Sequence, residues 1–99
     1  MTRLGDIAAK VRSKNAGPFW LTVDIFCGSA QAFDRVSGGI DSGAVAATFG
    51  IERDSLKRFD IADLWVVKFS LPRPAVQGTV ADRDMHGAAY AQIFADLEI

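Results

Sequence analysis

The sequence predicts an α+β domain, a ferredoxin-like βαββαβ sandwich carrying an extra N-terminal helix. Two segments carry most of that prediction. In residues 19–27, Phe19, Leu21, Val23, Ile25 and Cys27 point one way and Trp20, Thr22, Asp24 and Phe26 the other, the period of two that a strand requires. In residues 64–71, Trp65, Val67, Phe69 and Leu71 repeat the pattern. The third observation is what lies around them: helical stripes between, a weaker strand before the second, then a short helix and a final alternating segment. That order is the βαββαβ motif. Right-handed crossovers place the two strong strands side by side in the sheet centre and leave the weaker, charged ones at its edges.

Each element has its own signal. Leu4, Ile7, Ala8 and Val11 share one helical face, with Thr2 as N-cap and Asp6 and Lys10 placed to suit the helix dipole. Gly28-Ser29 ends the first strand and offers Ser29 as the cap of a helix with Ala30, Phe33 and Val36 inward, stopped by Gly38-Gly39. Asp41 caps a second helix, Ile40 and Val45 hold the two positions of a hydrophobic staple, and Gly50 closes it. Residues 55–61 read as a polar strand with Phe59 and Ile61 on one side, and residues 60–63 as its turn. Pro72-Arg73-Pro74 ends the second strong strand. Residues 84–93 predict a short helix, and residues 94–99 a last strand with Ala95, Leu97 and Ile99 inward.

The 99 residues suit one domain, and with 49% of them hydrophobic the chain can build a core. Eleven basic residues against twelve acidic ones argue against a general nucleic-acid binder. No apolar run is long enough to span a bilayer, and the start has no apolar signal core, so a cytoplasmic location is expected. The single Cys27 allows no internal disulfide and reads as a small buried hydrophobe. No Cys/His spacing suggests a metal.

The densest chemistry lies in Arg12-Ser13-Lys14-Asn15-Ala16-Gly17-Pro18, read as the connection between the first helix and the first strand. Arg12 offers a planar fork for a carboxylate or phosphate and Lys14 a point charge. Asn15 can orient a carbonyl, and Gly17 lets backbone approach an anion. The plainer reading is a capped helix end leading into a turn. A second cluster, Asp84 and His86, contains the only histidine, the one ordinary general base near neutral pH; the plainer reading is a helix cap beside an exposed imidazole. Arg73, held between two prolines, either reaches an anion or is solvated. The second sheet face would carry Trp20, Phe26, Leu64 and Val66, too apolar to leave wet. Either the N-terminal helix folds over it or it is a subunit interface.

The stretch from Arg12 to Phe19, followed by Thr22-x-Asp24-Ile25-Phe26, resembles the small bacterial family known as domain of unknown function 4387 (DUF4387). Lys68, Arg73-Pro74, Gly78 and Asp84-x-x-Gly87 fit the same pattern, which covers nearly the whole chain. The family pattern continues with two glutamines and a histidine where this chain has Ala88-Ala89-Tyr90, leaving His86 as the histidine to consider. The family in turn is similar to the C-terminal ferredoxin-like domain of acyclic terpene utilisation (AtuA-like) proteins. The resemblance implies a detached small partner of an AtuA-like large subunit, in the catabolism of carboxylic acids and acyl-CoA thioesters, with hydratase or dehydratase chemistry among the reactions implied.

Two functions are therefore carried forward. In the first, the chain is an accessory subunit of a heteromeric enzyme: Arg12, Ser13, Lys14, Asn15, Gly17 and Arg73 bind an anionic substrate, Asp84 and His86 assist catalysis, and Trp20, Phe26, Leu64 and Val66 meet the large subunit. In the second, it is a self-associating domain that binds a small anion without catalysis. An RNA-binding sheet ranks below both, since no aromatic RNA motif is present.

Overall fold

The computed structural model describes residues 2–17, 19–72 and 88–99. A short helix α1 (Leu4–Ile7) leads into a hairpin of β1 (Lys10–Asn15) and β2 (Trp20–Phe26). Helices α2 (Ala30–Gly39) and α3 (Ser42–Phe49) follow, then a second hairpin of β3 (Lys57–Ile61) and β4 (Val66–Pro72), and finally α4 (Ala88–Asp96). Single 3₁₀ turns at Arg53–Ser55 and Ala62–Leu64 flank β3.

The four strands form one antiparallel sheet in the order β1-β2-β4-β3. The two strong strands are central and adjacent, as expected, and the polar strand ending at Ile61 is an edge. The arrangement is α+β and ferredoxin-like in its sheet, but the chain visits it as ββαββα. The edge position expected for residues 94–99 belongs instead to β1, as if the last strand had been moved to the front.

Two assignments change accordingly. The N-terminal helix stops at Ile7 rather than running through Val11. Leu4 and Ala8 are buried from that turn, whereas Val11 points inward from a strand. Residues 94–96 are helical because Phe94, fully buried, serves α4: its ring stacks on Phe49 at 5.3 Å and lies 5.3 Å from Phe69. Only the last residues extend, where Thr2 and Ile99 exchange backbone bonds and the Leu4 amide donates to the Leu97 carbonyl.

The first helix is not capped by Thr2: Arg3 holds that position, with no side-chain cap bond. The cap signals of α2 and α3 hold. The Ser29 hydroxyl accepts from the Ala32 amide at 3.1 Å, and the Asp41 carboxylate accepts from the amides of Gly43 and Ala44 at 3.3 and 3.2 Å. Each satisfies amides that the first helical turn leaves without partners. Gly28, at φ +89°, turns the chain out of β2; a Cβ there would sit 2.9 Å from that of Ala9, so only glycine fits.

The core lies on one side of the sheet. Leu21, Val23, Ile25 and Cys27 from the β2 segment join Val67, Phe69 and Leu71 of β4, under Leu4, Phe33, Val36, Val45 and Phe94 of the helices. Cys27 is buried as expected; its thiol contacts the Ile25 carbonyl at 3.7 Å, and burial, with a smaller contribution from Asp60, raises its pKa. Trp65 does not join Val67 in the core. It takes a left-handed conformation (φ 53°) that turns β3 into β4 and leaves its ring exposed. The Trp65 carbonyl accepts from the Cys27 amide at 2.8 Å, tying this hairpin tip to the end of β2.

Candidate functional site

The polar stretch of the sequence is a strand and a hairpin turn. Arg12 to Asn15 belong to edge strand β1, and Gly17, at φ +84°, makes the turn into β2. A strand alternates its side chains, so the stretch is divided between two faces. Arg12 pairs with Asp24 and Lys14 with Thr22, which places both basic residues on the sheet face away from the core. Ser13 and Asn15, opposite Val23 and Leu21, point toward the helices. The stretch is therefore not one anion-binding loop: Arg12 and Lys14 are brought together, and Asn15 is not with them.

What surrounds Arg12 and Lys14 was not visible from local sequence. The antiparallel registers line up four rows across the open face. Lys10, Phe26, Val66 and Ile61 form the first; Arg12, Asp24, Lys68 and Phe59 the second; Lys14, Thr22, Ser70 and Lys57 the third; Trp20 and Pro72 the fourth. Directly opposed residues in such rows have Cβ atoms about 4.5–5.5 Å apart. Among the described residues the face thus gathers five cationic side chains (Lys10, Arg12, Lys14, Lys57 and Lys68) around a single carboxylate, Asp24. None of the five forms an ion pair among the described residues. A near-zero total charge conceals a basic face, because most carboxylates lie on the helical side and in loops.

Aromatic groups interrupt the charge. Trp20 and Phe26 are each 39% exposed and Phe59 50%. The Lys57 ammonium lies 6.0 Å from the centre of the Trp20 ring, within reach of its π face. Leu64, 68% exposed, stands on the hairpin tip tied to the β2 end near Phe26. Val66, by contrast, is buried and forms part of the floor rather than the exposed surface. The N-terminal helix does not cover this face; α1 packs with α2 and α4 on the core side.

A concavity of about 510 Å³ runs along β1, lined by Val11, Arg12, Ser13, Lys14, Asp24, Phe26 and Ala91. It is large enough for a small carboxylate or the head of a longer ligand. Arg12 and Lys14 supply positive charge, Asp24 an acceptor and Phe26 an apolar wall. Deeper in the same face, Thr22 Oγ1 is buried and has no hydrogen-bond partner. Asp84, His86 and Arg73 lie outside the described residues. Among the described residues no cluster of histidine, cysteine and carboxylate side chains can hold a metal ion, and no helix is long and apolar enough to cross a membrane.

A polar cluster on the core side has a structural explanation. Arg58, in β3, donates to Asp60 Oδ1 at 2.8 Å, to the Ile40 carbonyl at 2.9 Å and to the Ser37 carbonyl at 2.6 Å. Ser37 also donates to Asp60 at 2.6 Å, and the guanidinium lies 5.8 Å from the Phe69 ring centre. The Arg58 hydrogen bond, aided by that of Ser37, holds the Asp60 carboxyl below its usual range against the opposing effect of burial. These contacts fasten the edge strand to the end of α2 and occupy every side of the guanidinium. They clamp the fold and leave Arg58 nothing to offer a ligand.

Residues 4–98 fit the family model of a domain of unknown function, DUF4387. The chain belongs to the DUF4387 family. The match takes in every strand and helix above, including those that form the open face and its β1 concavity. No curated protein and no solved structure matches this DUF4387 chain.

Proposed function

We propose that this DUF4387 protein is the small accessory subunit of a heteromeric enzyme that processes carboxylates or acyl-CoA thioesters, with an AtuA-like protein as the large subunit. The observation that carries the proposal is the open sheet face. Trp20, Phe26, Phe59 and Leu64 are solvent-exposed there beside cations without an ion-pair partner among the described residues, a surface suited to being covered. Arg12 and Lys14, at the β1 side, receive the anionic group of the substrate, with Asp24 opposite Arg12 in the register of the strand pair. Asp84 and His86 remain the candidates for proton transfer. The large subunit closes the site from above and excludes water, which strengthens each electrostatic contact inside it.

Co-expression of the chain with the AtuA-like protein of the same genome tests this reading. A complex of fixed stoichiometry, with turnover of an acyl-CoA or carboxylate substrate that neither chain achieves alone, is the expected result. Separate elution of the two proteins, with the small chain monomeric or dimeric by itself, would refute it. Within an active complex, Arg12→Gln and Lys14→Gln should each raise KM about ten-fold or more, the effect of losing a charge-assisted contact to an anion.

A further inference from the structure

We infer that the open sheet face docks an acidic surface of the partner protein, through Lys57 and Lys68 set among Trp20 and Phe59, and that it does not pair with a second copy of itself. This rests on the accessory-subunit reading and adds the chemistry of the contact. The β1 cations, Arg12 and Lys14, have a role in that reading and an additional one in guarding an edge strand. Lys57, on edge strand β3, shares only the guarding role, and Lys68 has neither. Lys68 is on central strand β4, where no edge needs protecting, and lies between Asp24 and Phe59. Lys57 is set against the Trp20 ring rather than against a carboxylate. Together they make a patch in which each ammonium has an aromatic neighbour: apolar anchors to be covered, and charges awaiting an opposite charge.

The sign of the face decides among occupants. Five cations and one carboxylate among the described residues give each copy a net of four positive charges from the strands of this surface. A two-fold interface would bring those charges against their own images, which is destabilising when desolvated. The chain's own segment 73–87 contains two aspartates and two arginines, so it offers no net negative charge. Single-stranded nucleic acid would meet the cations. Against it, Trp20 and Phe26 stand at opposite ends of β2, with Asp24 between them facing the phosphates. A protein surface with carboxylates around an apolar centre satisfies the cations, the aromatics and the single aspartate together.

Charge reversal tests this in the full chain mixed with the AtuA-like protein. Lys57→Glu/Lys68→Glu should weaken the complex at least about 100-fold, with the wild-type affinity falling as salt is raised. Lys57→Gln/Lys68→Gln should show a smaller loss of about ten-fold. Arg35→Glu/Arg53→Glu changes net charge equally but lies off this face, and should bind as wild type; matching far-UV circular dichroism and melting would show that all variants fold. A wild-type complex that the Lys57/Lys68 reversal leaves intact would overturn this inference while leaving the subunit reading in place. Absence of any complex would overturn both. Sedimentation of the chain alone as a dimer that the reversal dissociates, or tight binding of a 20-nucleotide single-stranded probe lost in the same variant, would replace the acidic protein with those occupants.

Discussion

Thr22 illustrates how single residues on the open face differ from those in the core. Threonine suits a central strand, and burial hides its hydroxyl, yet Oγ1 has no partner. Leaving a buried hydroxyl unsatisfied costs about 1–3 kcal/mol, so Thr22→Val, which keeps the shape, should raise stability by about that amount in denaturant titration. A loss of stability on that substitution would mean that the hydroxyl has a partner in solution. Asp60 makes the opposite case. Its carboxyl is held low by Arg58, so its stabilisation is present above its ordinary value of 3.8 and is lost as pH falls through the lowered one. The melting temperature of wild type should therefore exceed that of Asp60→Asn at neutral pH, and the gap should close as pH drops below 3.8. A gap unchanged at acid pH would remove the Arg58 clamp from the account. At the start of α1, Arg3 pairs with both Asp96 and Asp6 through half-exposed side chains, an arrangement that adds little to stability.

At the level of elements, α4 shows both the reach and the failure of sequence reasoning. Tyr90 and Phe94 are four residues apart, as helical neighbours are, and Phe94 completes an aromatic cluster with Phe49 and Phe69. The inward positions Ala95, Leu97 and Ile99 fit a strand equally well in sequence, and in six residues the two periods cannot be separated. Phe94→Ala should cost about 3–5 kcal/mol, enough to unfold most molecules of a small domain, readable as loss of a cooperative melt. A melt lowered by only a degree or two would mean that α4 is not part of the core. The β1 strand was missed for a related reason. Its inward residues are Val11, Ser13 and Asn15, and only one is apolar, so the period-two signal lay in the cations at positions 10, 12 and 14. The caps at Ser29 and Asp41 were legible because capping chemistry is local. The central strands were legible because buried alternation is strong over seven residues.

At the scale of the molecule, the informative property is an asymmetry that composition hides. Among the described residues, one sheet face is sealed by four helices, and the other presents five cations, one carboxylate and exposed aromatic rings. Sequence placed Trp20 and Phe26 on that face, because strand parity is readable residue by residue. It could not bring Lys57, Lys68, Arg12 and Lys14 onto one surface, because that depends on the register of three strand pairs. On the proposed reading, this DUF4387 domain acts through its open face. The measurement that bears on it most directly is hydroxyl-radical footprinting of the chain alone and of its mixture with the AtuA-like protein, read by mass spectrometry. Trp20, Phe26 and Phe59 should be oxidised readily in the free chain and protected in the complex, while Ala30–Gly39 on the helical side is modified equally in both. Protection confined to the helical side, or open-face aromatics already protected in the free chain, would contradict the account.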